Sequence, residues 1–197
     1  MSDGTIKDGT GSGNRAKVSD GYRLSTTALT NDVLAYHTDI AKGYMVSTGE
    51  INLTSDSASG VFYLKNNEDK AIVIDSFNVC QEASVGGSGN TLVEVYRNPT
   101  TGTLVSSGTS IAPGNKNFSS FDTLNVDSNK GAEGLTVTDG TVLLTYFAST
   151  PSRLLYKEGP MLLEKGNSIA FVITPPTGST NLGLCFSVQL YLQEEEV

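Results

Sequence analysis

One histidine, two cysteines and a scatter of carboxylates are the residues with which this chain could do acid–base, nucleophilic or metal chemistry. A nucleophilic triad needs a base beside the nucleophile and a third group to orient it. His37 has no such setting, because the serines lie in Gly/Ser turns and none sits on a strained elbow. His37 therefore reads as a packing or surface residue. Cys80 and Cys185 lie in separate strand-like runs, too far apart and too poor in neighbouring histidine for a zinc cluster. Two readings stay open for them: reduced, buried small side chains, or a disulfide between neighbouring strands. Glu68-Asp69 falls in a polar turn, and Asp56, Asp122 and Asp127 fall in loops. Loop oxygens of that kind could gather around calcium, but EF-hand spacing is missing and the group reads as solvated turn residues. A glycosidase carboxylate pair would be expected beside exposed Trp and Tyr, and the chain has no Trp. The run Gly9-Thr10-Gly11-Ser12-Gly13 lacks the lysine and helix of a phosphate loop. Asn52-Leu53-Thr54 and Asn117-Phe118-Ser119 match a glycosylation sequon, which carries weight only in a secreted chain. The expectation is no catalytic residue, no metal and no cofactor.

The elements that would position these side chains are strands. Residues 1–20 are poor in large apolar side chains, and the glycine run reads as an arm or linker. Asp20-Gly21, flanked by Ala16-Lys17-Val18 and Tyr22-Arg23-Leu24, is a hairpin signal. Such a hairpin is marginal alone and needs something to dock on. Asn31-Asp32 could cap one short helical turn through Ile40. Strands follow at Tyr44–Leu53, Val61–Leu64, Ala71–Gln81, Thr91–Arg97 and near Leu104. In Ala71–Gln81, Ile72 and Ile74 are out of step with Phe77 and Val79. A β-bulge near Asp75-Ser76 would bring all four to one face. Residues 107–140 form a long polar connection, part of which is expected to pack through Phe118 and Phe121. The last third carries the strongest strand pattern: Thr141–Phe147, Arg153–Tyr156, Met161–Leu163 and Ser168–Thr174, then a final strand. That strand puts Leu182, Leu184, Phe186, Val188, Leu190 and Leu192 on one face, which suits the middle of a packed sheet. About eight strands with one long mid-chain connection predict an all-β fold: an antiparallel β-sandwich, jelly-roll-like, with an extended N-terminal arm. The division expected is an arm over residues 1–43 and a sandwich over 44–197, with a generic sandwich as the fallback.

At 197 residues the chain is long enough for a sizeable core. Its formal net charge of −8 and sequence pI of about 4.6 argue against a protein that tracks nucleic-acid phosphates. No apolar run approaches the ~18 residues of a membrane span. Met1-Ser2-Asp3-Gly4-Thr5 has neither a basic nor an apolar leader segment, so synthesis in the cytoplasm is expected.

The segment Asp8 to Val18, followed by Asp20-Gly21-Tyr22-Arg23-Leu24, resembles the N-terminal opening of tailed-bacteriophage virion proteins. The stretches Tyr63-Leu64-Lys65-Asn66-Asn67, Leu162-Leu163-Glu164-Lys165-Gly166 and Thr174-Pro175-Pro176 resemble the same group. Size and fold within that group resemble capsid decoration, or cement, proteins. The resemblance implies a homotrimer at the capsid surface that clamps the major capsid protein, with no nucleic-acid or membrane partner. The arm would supply the grip through Arg15, Lys17, Val18, Tyr22, Arg23 and Leu24, its backbone adding to a neighbour's sheet edge and its cations meeting an acidic shell. The alternative is a head-fibre, collar or tail component that binds host glycan or receptor, for which Tyr146, Tyr156 or Tyr191 would form an exposed aromatic cluster. A carbohydrate-active enzyme is the third reading.

Overall fold

The computed structural model describes residues 6–7, 15–16, 33–149, 151–156 and 160–193. The chain divides into two units, Met1–Asp32 and Val33–Val197. In the first, β1 (Ile6–Lys7) pairs antiparallel with β2 (Arg15–Ala16). The hairpin expected around Asp20-Gly21 lies outside the described residues.

The second unit opens with α1 (Val33–Asp39), where a short helical turn through Ile40 is expected. Four long strands follow: β3 (Gly43–Leu53), β4 (Ser59–Asn66), β5 (Ile72–Gln81) and β6 (Thr91–Arg97). A connection then carries α2 (Thr103–Ser107) and the short strands β7 (Thr109–Ser110), β8 (Gly114–Asn115) and β9 (Val126–Lys130). The chain returns through β10 (Thr141–Ala148), β11 (Ser152–Tyr156), β12 (Met161–Leu163), β13 (Ser168–Thr174) and β14 (Leu182–Leu192).

The result is an all-β sandwich of two antiparallel sheets. One runs β11-β5-β14-β3-β8, with β12 also paired to β5, and the other runs β10-β6-β13-β4-β9-β7. The return limb pairs with the outgoing limb in nested order: β14 with β3, β13 with β4, β11 with β5, β10 with β6. Alternation explains why β14 sits at the centre of its sheet. Leu182, Leu184, Phe186, Val188 and Leu190 are buried in the core, while Cys185, Ser187 and Gln189 on the other face are only partly covered. Rings from both sheets meet between the layers, with Phe171 centred 4.3 Å from Phe186 and 4.8 Å from Phe77, and Phe62 4.9 Å from Phe186. Stacked and edge-on pairs at such spacings add about 0.5–1.5 kcal/mol each beyond area burial.

The bulge expected in β5 is present. Gln189 pairs with Ser76 and Leu190 with Ile74, which leaves Asp75 as the extra residue. Ile72, Ile74, Phe77 and Val79 consequently all reach the core.

Two expectations for the middle of the chain need correction. Leu104 is not in a strand. Gly102, at φ 122°, turns the chain where any Cβ would collide with the Thr136 carbonyl, and Leu104 N–H donates to that same oxygen at 3.0 Å. The five-residue helix that results drives Leu104, fully buried, onto the outer face of the second sheet over Tyr63 and Ala170. Leu135 and Val137 complete this smaller core. Phe118 and Phe121, expected to pack, are 99 % and 97 % exposed. The apolar side chains of residues 107–140 that do join the main core are Leu124, Ile111 and Val126. Among the described residues, no helix is long and apolar enough to cross a membrane.

Candidate interaction surface

His37 and the carboxylates singled out in the sequence have these settings. His37 is buried and stacks on Tyr191 with ring centroids 4.3 Å apart and planes 13° from parallel, while Tyr36 meets its edge at 5.4 Å. That stack seats α1 on β14. Asp56 accepts a hydrogen bond from the Gly178 N–H, Asp122 pairs with Lys42 at 3.4 Å, and Asp127 lines a different groove. Of the carboxylates considered for calcium, Asp56 and Asp122 thus have separate partners and Asp127 lies in another groove. Among the described residues, no group of three or more His, Cys, Asp or Glu side chains could hold a metal ion. Glu68 accepts from the Asn125 N–H at 2.6 Å, and Asp69 pairs with Lys165.

Of the predicted partner-binding residues, Arg15 is described only through its backbone, which pairs with Lys7. Lys17, Val18, Tyr22, Arg23 and Leu24 lie outside the described residues. Of the tyrosines proposed for a glycan cluster, the two whose side chains are described do not come together. Tyr146 packs edge-on against Phe77 at the core, Tyr191 lies under His37, and the side chain of Tyr156 lies outside the described residues.

Sequence reasoning missed what the surface does present. The loop from Gly114 to Asp122 is braced by its own amides. Asn115 Oδ1 accepts from the Asn117 N–H (2.9 Å), and Asn117 Oδ1 accepts from the Ser119 N–H (3.0 Å). Asn115 Nδ2 donates to the Ala41 carbonyl (2.9 Å), Asn117 Nδ2 to the Asp39 carbonyl (3.3 Å), and Lys116 N–H to the Gly43 carbonyl (2.9 Å). These bonds tie the loop to the junction of α1 and β3. Phe118 and Phe121 stand out from a hydrogen-bonded loop. Side-chain amides and hydroxyls that bond the neighbouring backbone are the reason Asn and Ser favour such turns, and the Asn-Lys-Asn-Phe-Ser-Ser pattern was the available signal.

A second apolar feature is β10, one of the two edge strands of its sheet. It carries no charged residue between Thr141 and Ala148. Phe147 is 71 % exposed, and Val142 and Leu143 are also exposed. Leu143 shares an opening of about 220 Å³ with Met161 and the exposed Leu162. A polar groove of about 440 Å³ lies elsewhere on the same sheet, lined by Tyr63, Lys65, Asp127, Asn129 and Ser168. Tyr63 there is buried, and that burial raises its phenol above the usual range, so it offers no exposed stacking face.

No protein-family model and no curated protein matches this sequence. Among solved structures, a chain from the disulfide-linked pili of Bacillus endospore appendages aligns over 85 % of this chain and 100 % of its own length, at 10 % identity and a TM-score of 0.32. Likeness at that level carries no argument about fold or function.

Proposed function

We propose that the protein is a non-enzymatic structural component of a tailed-phage virion, a decoration protein that binds the major capsid protein shell and associates with itself at the capsid surface. The observation that carries the reading is the pair Phe118 and Phe121, held almost fully exposed on a braced loop. An exposed, pre-ordered aromatic pair costs little further ordering on binding and gains about 1.5–3 kcal/mol for each ring buried. The nested pairing of outgoing and returning strands supports the jelly-roll reading of the sandwich. Many weak contacts on one shell would reinforce each other. The homotrimer, the grip by the N-terminal arm and the location on a capsid made in the host cytoplasm belong to this proposal.

The test is co-sedimentation of the purified chain with phage shells that lack their decoration protein. Phe118→Ser with Phe121→Ser should weaken binding by at least about tenfold, which is 1.4 kcal/mol, while leaving the unfolding midpoint unchanged. Wild-type protein that stays in the supernatant at every shell concentration would sink the reading. The alternative of a head-fibre, collar or tail component binding host glycan is favoured by the groove beside Tyr63 and Asp127. Retention on host-surface polysaccharide, lost on Asp127→Ala, would move the assignment there.

A further inference from the structure

Cys80 on β5 and Cys185 on β14 stand directly opposite each other in antiparallel register. Directly opposed residues share a face and hold their Cα atoms about 4.5–5.5 Å apart. A disulfide spans about 4.4–6.8 Å between Cα atoms. The face is the outer one, since Val79, Leu184 and Phe186 on either side turn into the core. Both cysteines are half-buried, and neither is in a disulfide. The register extends the row to Glu50 beyond Cys185 and Arg153 beyond Cys80. A recess of about 330 Å³ opens over the pair, lined also by Glu50, Gln81, Glu82 and Gly183. It gives a small reagent access to both sulfurs.

The surroundings distinguish the two thiols. Burial, and then the neighbouring Cys80, push the Cys185 thiol up, so it keeps its proton at neutral pH. Cys80 Sγ accepts a hydrogen bond from Asn78 Nδ2 at 3.3 Å. Asn78 is itself oriented by Arg153, whose Nε donates to Oδ1 at 2.9 Å. Cys80 Sγ thus has a side-chain amide donor held in place by Arg153.

We propose that Cys80 and Cys185 form a dithiol redox site that a small-molecule disulfide oxidises to a cross-strand bond within one chain. Cys80, as thiolate, attacks one sulfur of the oxidant and forms a mixed disulfide. The other half leaves as a thiolate and takes up a proton. Cys185 then gives up its proton and attacks the Cys80 sulfur, releasing the second half as a thiol. The chain loses two electrons and two protons, and the oxidant gains them as two thiols. The new bond ties the central strand β14 to β5 and closes only where the medium is oxidising.

The experiment is incubation of the full chain with oxidised glutathione, followed by alkylation of remaining thiols and intact mass measurement. The expected result is loss of both alkylatable thiols, a mass lower by two hydrogen atoms, no covalent dimer, and a denaturation midpoint above that of the reduced protein. Cys185→Ser should stop at a glutathione adduct on Cys80, and Cys80→Ser should react at least about tenfold more slowly. Two thiols that stay alkylatable, or a bond that joins two chains, would overturn the proposal. The wild-type thiol count decides the matter even where a serine variant fails to fold.

Discussion

Gly131 lies so close against Gly60 that a Cβ on Gly131 would collide with the Gly60 carbonyl oxygen. The contact sits where the chain leaves β9, and Gly131 N–H donates to the Val61 carbonyl at 2.9 Å. Backbone meets backbone there, so no rotamer change relieves a larger residue. Gly131→Ala is expected to destabilise the fold by about 1–3 kcal/mol. Gly114→Ala is the control, because its added methyl meets only the Met45 carbonyl at 3.8 Å. Chemical denaturation of the two variants should lower the midpoint for Gly131 alone.

That contact also marks where sequence reasoning stops. The strand Ser168–Thr174 and the final strand were legible because Ile169, Phe171 and Ile173, and then Leu182 to Leu190, alternate without interruption. The bulge at Asp75 was legible because two apolar pairs were out of step, and only an extra residue reconciles them. Leu104 was not legible. Its helix is five residues long, has no periodicity to read, and is set by Gly102 against Thr136, a residue far along the chain. Phe118 and Phe121 were misjudged because apolar character was weighed and the bracing amides of Asn115 and Asn117 were not. The opposition of Cys80 and Cys185 needed the register of two strands distant in sequence, and composition holds no record of register.

Asn66 gives a second prediction. It is fully buried at the end of β4. Its Nδ2 donates to the Lys70 carbonyl (2.9 Å) and the Leu163 carbonyl (2.8 Å), and its Oδ1 accepts from the Glu68 N–H (2.8 Å). One side chain thus joins the β4–β5 turn to β12. Asn66→Leu keeps similar bulk but strands three backbone groups, at about 1–3 kcal/mol for each that finds no water. A loss of at least about 2 kcal/mol in denaturant-induced unfolding is expected, with amide exchange speeding up first at Glu68. An unchanged midpoint would show that these bonds are replaced at no cost.

Asp139 sets a pH dependence. Its carboxylate accepts from the Thr100 hydroxyl and N–H and from the Thr101 N–H, and these bonds lower its pKa to about 2. A folded pKa below the unfolded value of about 3.9 means the unfolded chain binds the proton more readily. The contribution is therefore fully present above about pH 4 and fades as the pH falls toward 2. The group is exposed, so salt and solvent keep the effect small. Carboxyl carbon chemical shifts should report titration of Asp139 near pH 2. A midpoint near 4 would mean that the turn at Thr100 and Thr101 is not held in solution.

The edge of the second sheet makes the last prediction. An exposed strand eight residues long with no charge, no proline and an exposed Phe147 has only the bulge at Leu143 among the devices by which sheets avoid pairing edge to edge. A second copy of the same strand is a fitting occupant, because two such edges can complete each other's hydrogen bonds about a two-fold axis. Leu143 and Phe147 are both exposed there. Leu143→Lys with Phe147→Lys places like charges across that axis and removes two apolar side chains from the contact. The double variant should raise the dissociation constant for self-association by at least about tenfold, which is 1.4 kcal/mol, with the folded chain intact by circular dichroism. Sedimentation velocity over a concentration series checks this. Wild-type and variant chains that sediment identically as monomers would place self-association elsewhere, or remove it.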